Sequence, residues 1–435
     1  MLTPLSGGLR NFFLIPHTSK YAMCAQIANR TANIAALFSS LLIAVIVAVD
    51  WGSETKPQTL RDGALYGYIG QRIAEGRVPY RHLFDVKPPL AQYIPAATAW
   101  LTRSSTSQYI LLQSITAICV VATVWFLTDV LERSLDNGQA AAITAVTLLA
   151  LPIVTLVVAR GYRPKAPVIA LGMASIWLVD RRPLAAAVIS AGCAAIWQFG
   201  IVFPALVVGR VVSCRGTASG IRAIGGIIAV GAISVVPVAL GGGLNQMIVQ
   251  VVLSPFLASE SQSVSDRVVR GGQIAWPLAP IVLMSIPGAL LSSQHSGTWW
   301  VLPLGGAGAA QTLLFDLDGP PDLLLGYLAV AGAVGVLYHH TVSERRRHIV
   351  MALIIVSGSM MAGLAVTDDA FLGKSADSEN QSKLEEAFWS GESLDRCYLG
   401  KSSMERKFVD AVEGDFSQHT CGPYPITELV IREKE

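Results

Sequence analysis

Charge is what this chain has least of. Only 14% of its 435 residues are Asp, Glu, Lys or Arg, against 52% from the apolar set, and mean hydropathy is +0.51. A soluble domain is about 25% charged. The deficit excludes a nucleic-acid binder built on basic patches, a disordered chain and a coiled coil. Familiar site motifs are missing too: the sequence holds no Cys/His metal spacing, Walker loop, dinucleotide fingerprint or nucleophile elbow. Cysteines are sparse. Cys24, Cys119, Cys193 and Cys214 fall in apolar or inner parts and read as packing, whereas Cys397 and Cys421 share the C-terminal stretch, where a disulfide is expected if that stretch is extracytoplasmic. No apolar core with a small-residue cleavage site precedes Ala32, so the first apolar run reads as an uncleaved signal anchor.

Long apolar runs are abundant. A bilayer core takes roughly 20 apolar residues per helix. Runs at about Ala32–Val49, Tyr109–Leu131, Ala140–Val158, Ala166–Val179, Leu184–Trp197, Ile201–Val212, Ile224–Leu240, Ile274–Leu291, Trp299–Leu314, Leu323–Tyr338 and Ile349–Val366 predict an all-α polytopic membrane protein of about 11 transmembrane helices. The pair flanking Trp197-Gln198-Phe199 is short enough to be tilted helices or a hairpin that stops short.

The net charge of +2 conceals a partition: residues 368–435 hold 15 of the 30 acids and eight basic residues, a balance of −7, which leaves +9 for the remainder. Three segments follow. Residues 1–31 form an inner N-terminal segment, 32–367 a membrane domain with a first outer loop at 50–108, and 368–435 a small α or α+β acidic domain. Cationic loops stay in the cytoplasm. Arg10, Lys20 and Arg30, then Arg133, Arg181-Arg182, Arg210 with Arg215 and Arg222, and Arg345-Arg346-Arg347 recur at every second loop. The N-terminus is therefore expected inside and the acidic tail outside, in a plasma-membrane protein. Span centres are almost free of charge, so the polar chemistry sits at the outer face.

The first outer loop reads DGALYGYIGQRIAEGRVPYRHLFDVKPPL from Asp62 to Leu90. Tyr66, Ile69, Gly70 and Ile73 share one helical face, with Arg72 and Glu75 on another. Asp62 takes the N-cap position, and Gly76 with Val78-Pro79 ends the helix. Lys87-Pro88-Pro89 stiffens the entry to a second amphipathic stretch, Leu90–Leu101, so two surface helices frame a cleft.

An acid, a Tyr four residues on, Gly-x-x-Pro-Tyr and then aromatic-acid-x-Lys-Pro-Pro-Leu resembles the first outer loop of GT-C glycosyltransferases, enzymes that use polyprenyl-phosphate sugars. Among these are the dolichyl-phosphate-mannose mannosyltransferases and the lipid A aminoarabinose transferases. The likeness extends more weakly to Gly161-Tyr-Arg-Pro-Lys165, to Trp197-Gln198 and to the late loop Phe315–Asp322, and leaves out the tail. Many relatives carry a second acid where this chain has Gly63, which puts a paired-acid mechanism in doubt.

The resemblance implies a membrane hexosyltransferase, mannose being the first expectation, that moves the sugar with inversion to an extracytoplasmic glycan, glycoprotein or glycolipid. An attacking hydroxyl needs a base, and Asp62 matches the family's acid; its bland reading is a helix cap. A phosphate leaving group needs cations, for which Lys87, Arg160, Arg163 and Lys165 are the outer candidates; Arg160 and Lys165 also sit where helix-end cations snorkel. Tyr66, Tyr80, Asp85, Gln198, Asp316, Asp318 and Asp322 are expected at sugar or acceptor. Asp85 has two further readings, a metal ligand or a partner of Lys87.

FDLDGPPD leaves a divalent cation open, although sugar recognition or a rigid turn fits its spacing better. No cofactor and no dedicated metal ligand set is implied. The expected partners are the polyprenyl-phosphate sugar, the acceptor and membrane lipid, with no nucleic acid. His82 reads as a solvated loop residue, and Gly241–Gly272 as a mobile loop or an ordinary linker. A second class stays open, a lipid or glycan transporter or flippase, whose signature would be polar residues along a central path.

Overall fold

The computed structural model describes residues 18–52, 61–83, 85–151, 161–253, 263–314, 320–367 and 386–390. Among them the chain is helical, with one isolated bridge between Pro79 and Leu83. In chain order the helices are α1 (Thr18–Gly52), α2 (Arg61–Ala74), α3 (Leu90–Leu101), α4 (Ser105–Leu135), α5 (Gly138–Ala150), α6 (Lys165–Leu178) and α7 (Pro183–Ile196). They continue with α8 (Val202–Arg215), α9 (Thr217–Leu240), α10 (Leu244–Ile248), α11 (Val264–Ala275), α12 (Ala279–Ser292), α13 (Val301–Leu314), α14 (Leu324–His340) and α15 (Glu344–Thr367). Residues 386–390 add a short helical turn.

The expected apolar runs fall on these helices within a residue or two at their ends, except that Ile274–Leu291 begins on the last residues of α11 and crosses the turn Trp276–Leu278 into α12, and that 152–158 lie outside the described residues. Four stretches, Ser105–Leu135, Gln198–Arg215, Thr217–Leu240 and Val264–Ser292, are long and apolar enough to cross a membrane by length and composition, and the other apolar helices are shorter. Burial reinforces the membrane reading. Ile34, Leu37, Phe38 and Leu41 on α1 and Ile221, Ile228 and Ile233 on α9 are exposed, an arrangement that only hydrocarbon solvates well. α14 is the opposite case. Leu324, Leu325, Leu328, Ala331, Val334 and Val336 bury its whole circumference among α5, α12 and α13, as expected of a helix that is apolar all round. The chain is an integral membrane protein.

Local chemistry sets the helix ends. Ser104 caps α4 by accepting the Ser107 N–H, and α4 stops at Asp136 in the left-handed region (φ 48°). Asn137 then caps α5 by accepting from Gln139 and Ala140, so the α4–α5 corner is written in two adjacent residues. Cations gather at this end. Arg133 pairs with buried Asp129, which also accepts from Trp177 Nε1 at 2.6 Å; Arg181 lies over the Trp177 ring, and Arg210 pairs with Asp180.

Three expectations need correction. The Ser-rich part of 241–272 is not wholly loop: Ser263 and Asp266 form a reciprocal capping box that starts α11, and Arg267 on α11 donates to the Leu313 carbonyl. Asp62 is the second residue of α2, inside its first turn and not at the cap. Cys193 is fully buried, in keeping with a packing role, but Cys214 is exposed. Cys397 and Cys421 lie outside the described residues.

Candidate active site

The first outer loop is built as a fixed turn. Past the end of α2 at Ala74 the chain turns at Gly76 (φ 93°) and turns back at Tyr80, a non-glycine residue in the left-handed region (φ 63°). Such a backbone costs about 1–3 kcal/mol and persists only where its surroundings hold it. They do here. The Tyr80 ring is fully buried and its hydroxyl donates to the Lys87 carbonyl at 2.6 Å. Burial first, then the nearby Asp85 carboxylate, pushes this phenol well above its ordinary pKa and keeps it a donor. His82 is half-buried and not merely solvated: its Nδ1 accepts the Val78 N–H at 2.8 Å, and burial together with Arg81 and Arg77 lowers its pKa.

Two distant glutamines complete the loop. Gln250 donates to the Tyr80 carbonyl at 2.9 Å and accepts the Asp85 N–H at 3.1 Å. Gln198 donates to the Val86 carbonyl and, at 3.3 Å, to that of Val251. Asp85, only 5% exposed, accepts the Lys87 N–H at 3.0 Å and thereby shapes the approach to the Lys87-Pro88-Pro89 corner. The expected pairing of Asp85 with Lys87 thus exists through the backbone N–H. Gln250 escaped sequence reading; its signal was a lone amide inside the apolar run Ile248–Leu253.

The second wall is Gly161-Tyr162-Arg163-Pro164, which leads into α6. Gly161 has φ 84°, and a Cβ there would meet the Tyr109 ring at 3.2 Å and the Cα of Gly63 at 3.6 Å. The first turn of α2 therefore approaches this turn backbone to backbone, with Asp62 next to Gly63 in sequence and Arg163 two residues beyond Gly161. Residue 63 is buried, so the glycine that replaces a second acid is where two segments of the chain meet. Tyr66 of α2 and Tyr162 pack edge to face, 5.8 Å between centroids, both buried.

The third wall joins residues far apart in sequence. Lys165 forms an ion pair with Asp322, the two side chains 14% and 16% exposed, and its ammonium lies 5.2 Å from the Trp197 ring centroid. Gln311 donates to the Asp322 carbonyl at 2.7 Å. Residues assigned separately to phosphate and to sugar are thus direct partners. Lys87 and Arg163 are half-buried. Arg160, Asp316, Asp318 and the side chain of Asp62 lie outside what the structure describes. Among the described residues no group of three or more His, Cys, Asp or Glu side chains is arranged to hold a metal ion.

This arrangement has relatives. Residues 76–236 match the family described as DolP-mannose mannosyltransferase. A dolichol phosphate-mannose mannosyltransferase of Haloferax volcanii is 25% identical over 91% of this chain and 96% of its own length. Crystallographic ArnT from Cupriavidus metallidurans, bound to undecaprenyl phosphate, superposes with a TM-score of 0.55 over 91% of this chain and 77% of ArnT, at 15% identity. The resemblance carried by Asp62–Leu90 is thus met by a family model over part of the chain, by a curated relative over most of it and by a shared fold, and together these support a membrane glycosyltransferase that uses a polyprenyl-phosphate sugar.

Proposed function

We propose that the chain transfers mannose, with inversion, from a polyprenyl-phosphate mannose to a hydroxyl of an extracytoplasmic glycan, glycoprotein or glycolipid. Asp62 takes the proton from the acceptor hydroxyl as its oxygen attacks the anomeric carbon. The bond from that carbon to the phosphate oxygen breaks on the opposite face, which inverts the centre. The departing phosphate monoester is already an anion, so it needs cations and no general acid. Lys87 and Arg163 hold it, with Lys165 behind them and Arg160 in the adjoining stretch. Tyr66, Asp85 and Asp322, with Asp316 and Asp318 of the late loop, face sugar and acceptor, while Tyr80 and Gln198 hold the loop that presents them.

One observation carries this reading: the first turn of α2, with Asp62, lies against the Gly161 turn that leads to Arg163 and Lys165. A base and phosphate-holding cations on one patch are what transfer from a lipid-phosphate sugar requires. The matching family's description supports mannose and the lipid phosphate. An activated donor that arrives within the membrane also accounts for a sequence without a nucleotide-binding motif. The plasma membrane, an inner N-terminus and an outer tail complete the proposal, supported by cationic ends gathered away from the site.

The test uses purified protein in lipid with labelled dolichyl-phosphate mannose and a glycan acceptor. Wild type is expected to transfer label, and Asp62→Asn to lose at least about a hundredfold, the scale of general-base catalysis. Unchanged transfer by the variant removes Asp62 from the role; no transfer from any polyprenyl-phosphate hexose overturns the function.

A further inference from the structure

Helix α2 carries three glycines in 14 residues, Gly63, Gly67 and Gly70. Each interior glycine costs a helix about 1 kcal/mol relative to alanine, so α2 is not stable by its own propensity. Every one of the three is a place where another element comes down onto the helix backbone. A Cβ at Gly70 would meet the Pro95 carbonyl oxygen of α3 at 2.5 Å, Gly63 abuts the Gly161 turn, and a Cβ at Gly67 would meet the Phe388 ring at 2.5 Å. Two of these partners belong to the membrane domain. The third comes from the acidic tail.

Phe388 is fully buried, Ala387 nearly so, and both cluster with Tyr68 of α2 and Tyr109 of α4. Trp389 packs on Tyr109 with 5.6 Å between centroids, and Tyr109 in turn contacts Gly161. A polar latch secures the plug: the Gln71 amide donates to the Phe388 carbonyl at 3.2 Å, to Ser105 Oγ at 3.2 Å and to Gln108 Oε1 at 3.1 Å. Gln108 donates in turn to the Gly67 carbonyl at 3.1 Å. Residues 386–390 therefore sit on the first-outer-loop side and touch both ends of the contact that brings Asp62 to the Gly161 turn.

We propose that Phe388 is a positioning residue for transfer: the tail plugs the Gly67 notch and clamps α2, and so fixes Asp62 against the Gly161–Arg163 turn. This rests on the assignment of Asp62 as the base. It gives the tail a part in the reaction without any contact to substrate. A shift of about 1 Å at a reacting group is enough to cost about a hundredfold in rate.

The experiment compares full-length wild type, F388A, F388L, G67A and F388A/G67A, all in lipid and monodisperse by size-exclusion chromatography. With dolichyl-phosphate mannose as donor, F388A is expected to lose about ten- to a hundredfold in kcat with donor KM changed less than about twofold. F388L, which keeps an apolar plug, restores most of the rate. G67A, whose methyl expels the ring, behaves like F388A. In the F388A background the same methyl meets open space and adds helix propensity, so the double variant is no worse than F388A. Hydrogen exchange of residues 61–74 is expected to rise in F388A and G67A. A kcat within twofold of wild type, or unaltered exchange across α2, overturns the clamp. Additive losses in the double variant overturn it as well. If wild type transfers nothing, the functional reading fails, and the clamp is decided by exchange alone.

Discussion

The ion pair of Lys165 and Asp322 makes a prediction that separates holding the fold from holding the donor. Both side chains are withdrawn from water, at 14% and 16% exposure, and they join the start of α6 to the approach of α14 across 157 residues. Removing one partner of such a pair leaves a charge with little solvent, at a cost of about 3–5 kcal/mol, whereas removing both leaves neither charge stranded, so the two losses do not add. K165A and D322A should each destabilise by about 3 kcal/mol, and K165A/D322A by little more than either. The coupling is then about 2–3 kcal/mol, thirty- to 150-fold in the folded-to-unfolded ratio. Reversible unfolding in mixed micelles reads it.

Donor kinetics break the symmetry. If Lys165 also stands behind the phosphate, K165A raises donor KM, while D322N, which releases the ammonium from its carboxylate, leaves KM level or lowers it. Stability then falls in both variants and affinity in only one. Additive stability losses would refute the pair as a coupled unit. Equal KM in K165A and wild type would refute any part for Lys165 at the phosphate and leave it a strut beneath Trp197.

Tyr80→Phe removes the donor to the Lys87 carbonyl and leaves an acceptor in a buried loop, at about 1–3 kcal/mol; a donor KM raised about tenfold, with the thermal midpoint lowered, is the expected result. Gly161→Ala forces a methyl onto the Tyr109 ring at φ 84°, so it should cost about 1–3 kcal/mol and lower transfer from every donor alike, read by parallel assays with several polyprenyl-phosphate hexoses. His82 is held neutral with Nδ1 as an acceptor and its pKa lowered, so its contribution is complete above about pH 6.5 and is lost as pH falls through the folded value. Exchange protection of residues 78–82 should therefore drop on acidification in wild type and stay level in H82N, whose amide oxygen accepts at either pH.

How much of this was legible in sequence depends on how local the cause is. Apolar runs, Gly76 as a helix stop and the Lys87-Pro88-Pro89 corner are written within a few residues of where they act, and the helices fall accordingly. The capping box of α11 is equally local, but the serines around Ser263 outweighed it because Ser serves turns as readily as caps. Asp62 suffered the same ambiguity, since an acid suits the first turn as well as the cap.

The tertiary ties were not legible at all. Gln250 and Gln198 are single amides in apolar surroundings, and nothing in their neighbourhoods marks the backbone groups they will meet. Lys165 and Asp322 each carry a charge that fits several roles, and only the fold that joins α6 to the loop before α14 removes the choice. The glycines of α2 are the instructive case. Read along the chain they weaken an amphipathic helix, and Gly63 looked like the loss of an acid. Read in three dimensions, each is a contact surface, so the departure from the family pattern at Gly63 is the price of backbone contact with the Gly161 turn. A carboxylate at position 63 would have to be buried in that contact, where its desolvation would cost several kcal/mol. Under the proposed function, that packing fits a single acid at this helix end, and it makes Asp62 the group whose loss the adjoining position would not offset.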